Sequence, residues 1–514
     1  MTRRVVAVDL GATSGRVMVA RVGVEPVDLL ELEEVHRFPN GAVRDRRGSL
    51  RWDISRIRRE VLVGIRAAAE TGPVDGIGID SWAIDYGLLD AEGRLLGDPF
   101  SHRDSRTDGV AERVVAEVGE EALYDETGLQ QLPFNTLYQL VAARESESGA
   151  DELRRASTLL LIPDLLGFWL TGRVGAERTN ASTTQLYGAR SHEWSKDLLD
   201  LLGLPVDILP GLVSAGDIVG TVLPGVASEV GLDVDTPVIA VGSHDTASAV
   251  VGVPAGDEPF AYVSSGTWSL VGLELPEPVL TEAAREADFT NEAGVDGTVR
   301  LLKNVTGLWV LSECVREWVE AGVEHGDLES VLRAASGLPV SRGVIDINHG
   351  SLIPPDGMPD RVRALALAGG LSAPDSPGGL TRLVLDSLAL AYRRCVATAS
   401  ALAGVHPQVV HVVGGGSENE LLCQLTADAC GLPVVAGPKE AAALGNVLVQ
   451  ARALGDRLET VADMRALVRR THELKRYEPV ASADWDGLES QLTGARFDLG
   501  AVQSAKSDSR AKSS

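Results

Sequence analysis

Two stretches of one local pattern, roughly 255 residues apart, constrain this chain more than any other feature. The first is Val5-Val6-Ala7-Val8-Asp9-Leu10, a turn through Gly11-Ala12-Thr13-Ser14-Gly15, then Arg16-Val17-Met18-Val19-Ala20. The second is Ala261-Tyr262-Val263-Ser264-Ser265, a turn at Gly266-Thr267-Trp268, then Ser269-Leu270-Val271-Gly272. Both read as β-hairpins whose turns carry N–H and hydroxyl donors. One such hairpin alone is an ordinary turn. A related pair, one in each half, implies a duplicated cleft in which each turn offers backbone N–H groups to phosphate oxygens. At 514 residues the chain is too long for a single core, which agrees with two large lobes.

The rest of each half reads as α/β. Ile57 to Glu70 has the periodicity of an amphipathic helix and Val74 to Asp80 that of a strand. Leu380 to Gly404 reads as a long helix and Gln408 to Val413 as a buried strand. The expected division is an N-terminal domain over 1–247, a C-terminal domain over 248–490 and a tail over 491–514 that is expected to be disordered and is small and polar from Gln503. The longest uncharged stretch, Val396 to Ser417, contains Pro407 and three consecutive glycines, so it reads as helix, turn and strand rather than a membrane span. Met1 to Val8 is too short in apolar residues for a signal-peptide core. A net charge of −26 lacks the basic field on which non-specific nucleic-acid binders depend. Four cysteines without C-x-x-C spacing fit a reducing, cytoplasmic compartment, and the nine histidines include no H-E-x-x-H pair.

Within this frame Asp245 is the leading catalytic candidate. It follows the apolar run Val238 to Val241 and the turn residue Gly242, and it precedes a helix opening at Thr246. A carboxylate there can face a cleft and accept a proton from a hydroxyl; it could equally cap the helix. Asp9 ends a strand at the first glycine-rich turn, where it could hold a Mg²⁺-bound water or form an Asx-turn. Gly414-Gly415-Gly416 follows a strand and precedes Ser417 and Glu420, which have capping-box spacing; such backbone suits a nucleotide at a helix start or a turn needing special dihedrals. Asp80 to Tyr86 joins polar and aromatic groups as a sugar site requires, although a lone Trp82 or Tyr86 is more often core. His102 to Arg106 and Lys303-Asn304 would each ordinarily be solvated surface. No G-x-x-x-x-G-K-[ST] is present, and Gly76-x-Gly78 lacks the third glycine of a dinucleotide motif.

In order, these segments resemble the FGGY family of carbohydrate kinases, from Val5 to about Thr460. The phrases that carry the resemblance are Val8 to Ala12 with Ser14 to Arg16, Arg103 to Thr107, Leu132-Pro133-Phe134-Asn135-Thr136-Leu137-Tyr138-Gln139-Leu140, Thr179 to Ala181 with Thr183 to Leu186, Ser243 to Val250, Ser264 to Leu270, and Leu302 to Asn304. The resemblance implies two ribonuclease-H-like, actin-like domains flanking a cleft. It also implies transfer of the γ-phosphate of Mg-ATP to the 1-hydroxyl of L-rhamnulose, with L-fuculose, L-xylulose or a related polyol as the alternative acceptor. Asp245 matches the catalytic base, and Ala83, His244, Thr246 and Asn304 match substrate contacts. Ala12, Thr13, Ser14, Gly15, Arg16, Thr267, Ser312 and Gly415 match the ATP site, and Asp9 the Mg²⁺ position. Ala83 stands where glycine is frequent and Ser312 where glutamine is frequent, which puts pocket volume and one nucleotide contact in question. The expected partners are a ketose and ATP, with no nucleic acid or membrane, in a monomer or small homo-oligomer.

Overall fold

The computed structural model describes residues 2–24 and 28–494. Both expected hairpins form: Thr2–Leu10 pairs antiparallel with Ser14–Gly23, and Phe260–Ser265 with Ser269–Leu275. Each seeds a sheet of the same plan. In the first, Leu29–Pro39 extends the hairpin on one side. On the other, Gly76–Ser81 and Pro237–Ile239 add in parallel and Ile218–Thr221 closes the edge antiparallel. In the second, Val299–Val305 and Thr290–Ala293 extend the hairpin, Val409–Val413 and Val434–Ala436 add in parallel, and Lys475–Tyr477 closes the edge antiparallel. The duplication read from two turns thus extends to strand order, as two ribonuclease-H-like domains require.

Alternation along the strands decides what covers each face. Val6, Val8 and Leu10 point to one core with the helix Ile54–Glu70, while Val5 and Ala7 point to a second core with the helices Ala441–Ala453 and Val461–Thr471. The second sheet packs Ala261, Val263 and Val271 on the long helix Pro377–Ala403. Its other face, with Tyr262, Leu302 and Val413, rests on Ala249 and Val250 of the helix Asp245–Val251. Each domain therefore contributes one helix to the other's underside. Residue 247, the expected boundary, lies inside the 245–251 helix, and residues 441–471 of the second range complete the first sheet's core. A further helical core, around Leu137, Tyr138 and Leu140, is inserted between the strands Gly76–Ser81 and Pro237–Ile239.

Several local expectations change. The strand at 238–241 ends at Ile239. Gly76 and Gly78 are packing glycines: a Cβ on Gly78 would lie 2.5 Å from Asn446 Oδ1 and 2.8 Å from Val241 Cγ1. No capping box forms at Ser417 and Glu420, because residues 415–418 turn as a 3-10 segment and Asn419 caps the next helix through Leu422 N. Of the expected 491–514 tail, residues 491–494 close the helix Trp485–Gly494 and the remainder lies outside the described residues. Among the described residues no helix is long and apolar enough to cross a membrane, and all four cysteines are free thiols.

Candidate active site

The carboxyl ends of the central strands of both sheets open on one cleft of about 1860 Å³. A single-ligand pocket holds roughly 300–1,000 Å³, so two substrates fit side by side.

Asp245 is the first residue of its helix, and His244, not Asp245, occupies the N-cap position. The cap alternative therefore fails. A third of the Asp245 side chain is exposed, on the cleft side, and Thr246 Oγ1 donates to its Oδ1 at 3.2 Å. The preceding turn is pinned from two directions. Ser81 N donates to Ser243 O at 2.9 Å, and Ser243 N and Oγ both donate to the buried Glu177 carboxylate at 3.0 Å. Burial pushes the Asp245 carboxyl above its usual range, His244 opposes that rise and Asp9 adds to it.

Asp9 and Asp80 stand side by side on neighbouring parallel strands. Asp80 is completely buried; its Oδ2 accepts from Asn446 Nδ2 at 2.6 Å, while its Oδ1 has no protein partner. Burial first, and Asp9 second, hold its carboxyl well above the usual value. Arg16 supplies the local countercharge by bridging Asp9 and Glu440; these two partners outweigh the effect of burial and raise its guanidinium further. Among the described residues no group of three or more His, Cys, Asp or Glu is set to ligate a metal directly. Mg²⁺ keeps several waters and needs only one or two carboxylates beside substrate phosphates. Asp9, paired with Arg16 yet lining the cleft, is the carboxylate whose chemistry fits that mode, whereas burial disfavours the charged form of Asp80.

Two donor-rich turns face each other across this floor. In the first, Gly11 N donates to Ser14 O at 2.9 Å, and Asn40 braces the turn through Gly11 O and Thr13 O. In the second, Gly266 N donates to Trp268 O at 2.9 Å, and the start of the helix Trp309–Glu320 is tied to Gly266 O and Thr267 O. Gly414 and Gly416 pack on the second turn, where added Cβ atoms would fall 2.8 Å from Ser265 O and 2.0 Å from Ser265 Oγ. Gly415 between them has open space and lines the cleft. Two of the three glycines thus serve packing, and the third leaves open backbone on the cleft.

An aromatic wall lies next to Ala83. Trp52 and Trp82 pack with ring centroids 4.3 Å apart and their planes tilted by 38°. Both indole N–H groups, together with His102 Nδ1, converge on Asp85 Oδ2 at 2.7, 3.0 and 2.9 Å. Burial would raise the Asp85 carboxyl, but His102 and the other donors hold it below its usual value. Trp82 therefore lines the cleft, whereas Tyr86 belongs to the helical core. His102, Arg103, Asp104, Ser105, Lys303 and Asn304 also line the cleft, with Arg103 and Ser105 exposed there.

Ala12, Thr13, Ser14, Arg16, Ala83, His244, Asp245, Thr246, Thr267, Asn304 and Gly415 are all brought to this cleft together with Asp9. Two expected residues are not. Gly15 packs on Phe38, whose ring would meet a Cβ at 2.2 Å, and Ser312 is exposed on the 309–320 helix, one turn after the cleft-lining Trp309. Sequence reasoning did not place Glu440, Asn446 or Glu177 at the site; none carries a local signal, because each meets its partner only through the fold.

Models of the FGGY family of carbohydrate kinases match the chain twice, the N-terminal domain over residues 4–252 and the C-terminal domain over 261–454. A rhamnulokinase of Pectobacterium carotovorum is 44% identical, covering 94% of this chain and 95% of the relative. One from Bacteroides thetaiotaomicron is 40% identical, over 95% and 98%. Among solved structures, a gluconate kinase from Lactobacillus acidophilus superposes with a TM-score of 0.77 at 16% identity, covering 96% of each chain. The Plasmodium falciparum glycerol kinase with ADP superposes with a TM-score of 0.77 at 15% identity, over 97% and 99%. At such identities these two structures establish the fold alone.

Proposed function

Because the chain belongs to the FGGY family of carbohydrate kinases, we propose that it transfers the γ-phosphoryl group of ATP to the 1-hydroxyl of L-rhamnulose, with Asp245 as the base. The observation that carries this reading is the position of Asp245 on the cleft floor between the two donor turns, Gly11 to Arg16 and Ser264 to Trp268. The acceptor assignment is supported by the rhamnulokinases that match over nearly their whole length. The need for ATP and the four free thiols favour the cytoplasm.

The work divides among the residues. Asp245 accepts the proton of the acceptor hydroxyl as its oxygen attacks phosphorus, and the pinned Ser243 turn keeps the carboxylate in line. Backbone N–H groups and hydroxyls of Thr13, Ser14 and Thr267 hold phosphate oxygens on either side. Open backbone at Gly415 admits the adenosine end. Asp9 would hold Mg²⁺ through water, and the ion would supply neutralisation of charge on the transferring group. The Trp52 and Trp82 wall and Ala83 bound the ketose pocket, where a methyl-sized change is worth ~1 to 3 kcal/mol of discrimination.

ADP release measured with L-rhamnulose, L-fuculose, L-xylulose and glycerol tests the assignment. Preference for L-rhamnulose is expected. Preference for another acceptor would reassign the pocket around Ala83, and no acceptor-dependent release would overturn the reading.

A pH dependence follows from the buried base. Asp245 must be ionised to accept a proton, and its folded value lies above that of an ordinary carboxylate, ~3.9. Activity is therefore lost as pH falls through that raised value, earlier than an exposed Asp would impose. The acidic limb of kcat/KM for the ketose, at saturating Mg-ATP, measures it.

A further inference from the structure

The turn that carries Asp245 is braced from the second sheet by a buried ion pair. Glu292 on Thr290–Ala293 stands directly across from Arg300 on Val299–Val305. Arg300 is completely buried; its Nη2 lies 2.9 Å from Glu292 Oε2, and its Nε and Nη2 donate to Ala293 O at 3.2 and 3.1 Å. Both side chains reach His244, whose Nδ1 lies 3.1 Å from Glu292 Oε2 and 3.2 Å from Arg300 Nη2. The other ring nitrogen, Nε2, lies 3.5 Å from Asp245 Oδ1. A continuous row of groups thus runs from Arg300 through Glu292 and His244 to Asp245.

Stability does not account for this row. Burying an ion pair costs desolvation that its attraction often only offsets, and an apolar pair of similar volume commonly does as well. Here Arg300 Nη1 and Glu292 Oε2 are both buried without a hydrogen-bond partner, so the contacts of Oε2 with Arg300 and His244 are ion-pair contacts alone. We propose that Glu292, held by Arg300, is a positioning residue for phosphoryl transfer: it fixes the His244 ring so that Nε2 stays against Asp245 and keeps that carboxylate aligned. This rests on the reading of Asp245 as the base and adds to it a contribution from the second domain. Burial alone would raise the Glu292 carboxyl, but Arg300 and His244 hold it below its usual value, so it remains an anion. The groups facing His244 are Asp245, Glu292 and Arg300; those bearing on Asp245 are His244, Asp9 and, behind it, Asp80; Tyr262 neighbours the ion pair.

The test compares wild type, Glu292→Gln and Glu292→Asp for kcat, for the KM of each substrate and for the acidic limb of the pH profile, using whichever ketose the wild type prefers. Glu292→Gln keeps the shape and removes the charge. It is expected to lower kcat by roughly 10- to 100-fold, to leave the KM for Mg-ATP within about twofold, and to move the acidic limb to higher pH, because a loosened His244 no longer offsets the burial of Asp245. Glu292→Asp, which restores the anion, is expected to recover most of the rate. A Glu292→Gln enzyme with unchanged kcat and limb overturns the inference, as does a Glu292→Asp enzyme no better than Glu292→Gln. The ring ¹⁵N signals of His244, assigned by their loss in His244→Asn, give a readout independent of activity. If the wild type phosphorylates no ketose, the functional reading fails on its own, while identical His244 signals in wild type and Glu292→Gln reject the brace.

Discussion

Asp245→Asn is expected to leave the ketose bound and to cut turnover by roughly 10²- to 10⁴-fold, the usual scale for removing a positioned base. The substitution is nearly isosteric. Asn keeps an oxygen to accept from Thr246 Oγ1 and an outline that leaves the Ser243 turn and its Glu177 bonds untouched. What it loses is the capacity to take a proton. Fold damage as a cause of inactivity is separable, because the charge of Asp245 opposes folding. Its carboxyl has a higher pKa folded than unfolded, so ionising it costs stability at any pH above the unfolded value. Asp245→Asn should therefore melt at the wild-type temperature or above it, the signature of a site that trades stability for activity. ADP release, calorimetric titration of the ketose and a thermal melt on the same preparation check all three statements. Turnover within tenfold of wild type would remove Asp245 from the base role.

Parts of this architecture were legible because they are local. The paired hairpins showed themselves because a Gly/Thr/Ser turn between alternating apolar strands is one continuous stretch, and Asp245 did so because its strand, turn and helix are adjacent in the chain. The 377–403 helix was visible from its length of apolar periodicity. The 441–453 helix shows the opposite case. Ten of its thirteen residues are buried, so no polar face indicates which sheet it covers, and its crossing to the first sheet could not be read. Arg16 and Glu440, or Asn446 and Asp80, meet across more than 360 residues with no local trace of the pairing. Ser312 illustrates a different limit. Its ATP role is implied by resemblance alone: its helix buries Leu311, Cys314 and Trp318 on one stripe and leaves Ser312 exposed one turn after the cleft-lining Trp309, so the periodicity gives its exposure and not its ligand.

The second large effect is expected at Gly445, where the two domains are joined. The 245–251 helix lies under the second sheet and the 441–453 helix under the first, so whatever separates these helices separates the sheets. They meet backbone to backbone at two glycines. A Cβ on Gly445 would lie 1.8 Å from Ser248 O, and one on Gly252 would lie 2.4 Å from Ala441 O. No rotamer relieves a contact with a carbonyl oxygen, so Gly445→Ala must push the helices apart. Overpacking typically costs ~1 to 3 kcal/mol, and a clash with fixed backbone belongs at the top of that range or beyond it. Ser248 is one helical turn after Asp245, so the same displacement moves the base off line. Gly445→Ala should therefore lower both the urea midpoint and kcat, whereas Gly415→Ala, with open space around its Cβ, should leave the midpoint unchanged and raise the KM for ATP. Equal urea midpoints for wild type and Gly445→Ala would mean that the interhelical contact gives way, and that the joint between the domains is softer than its packing implies.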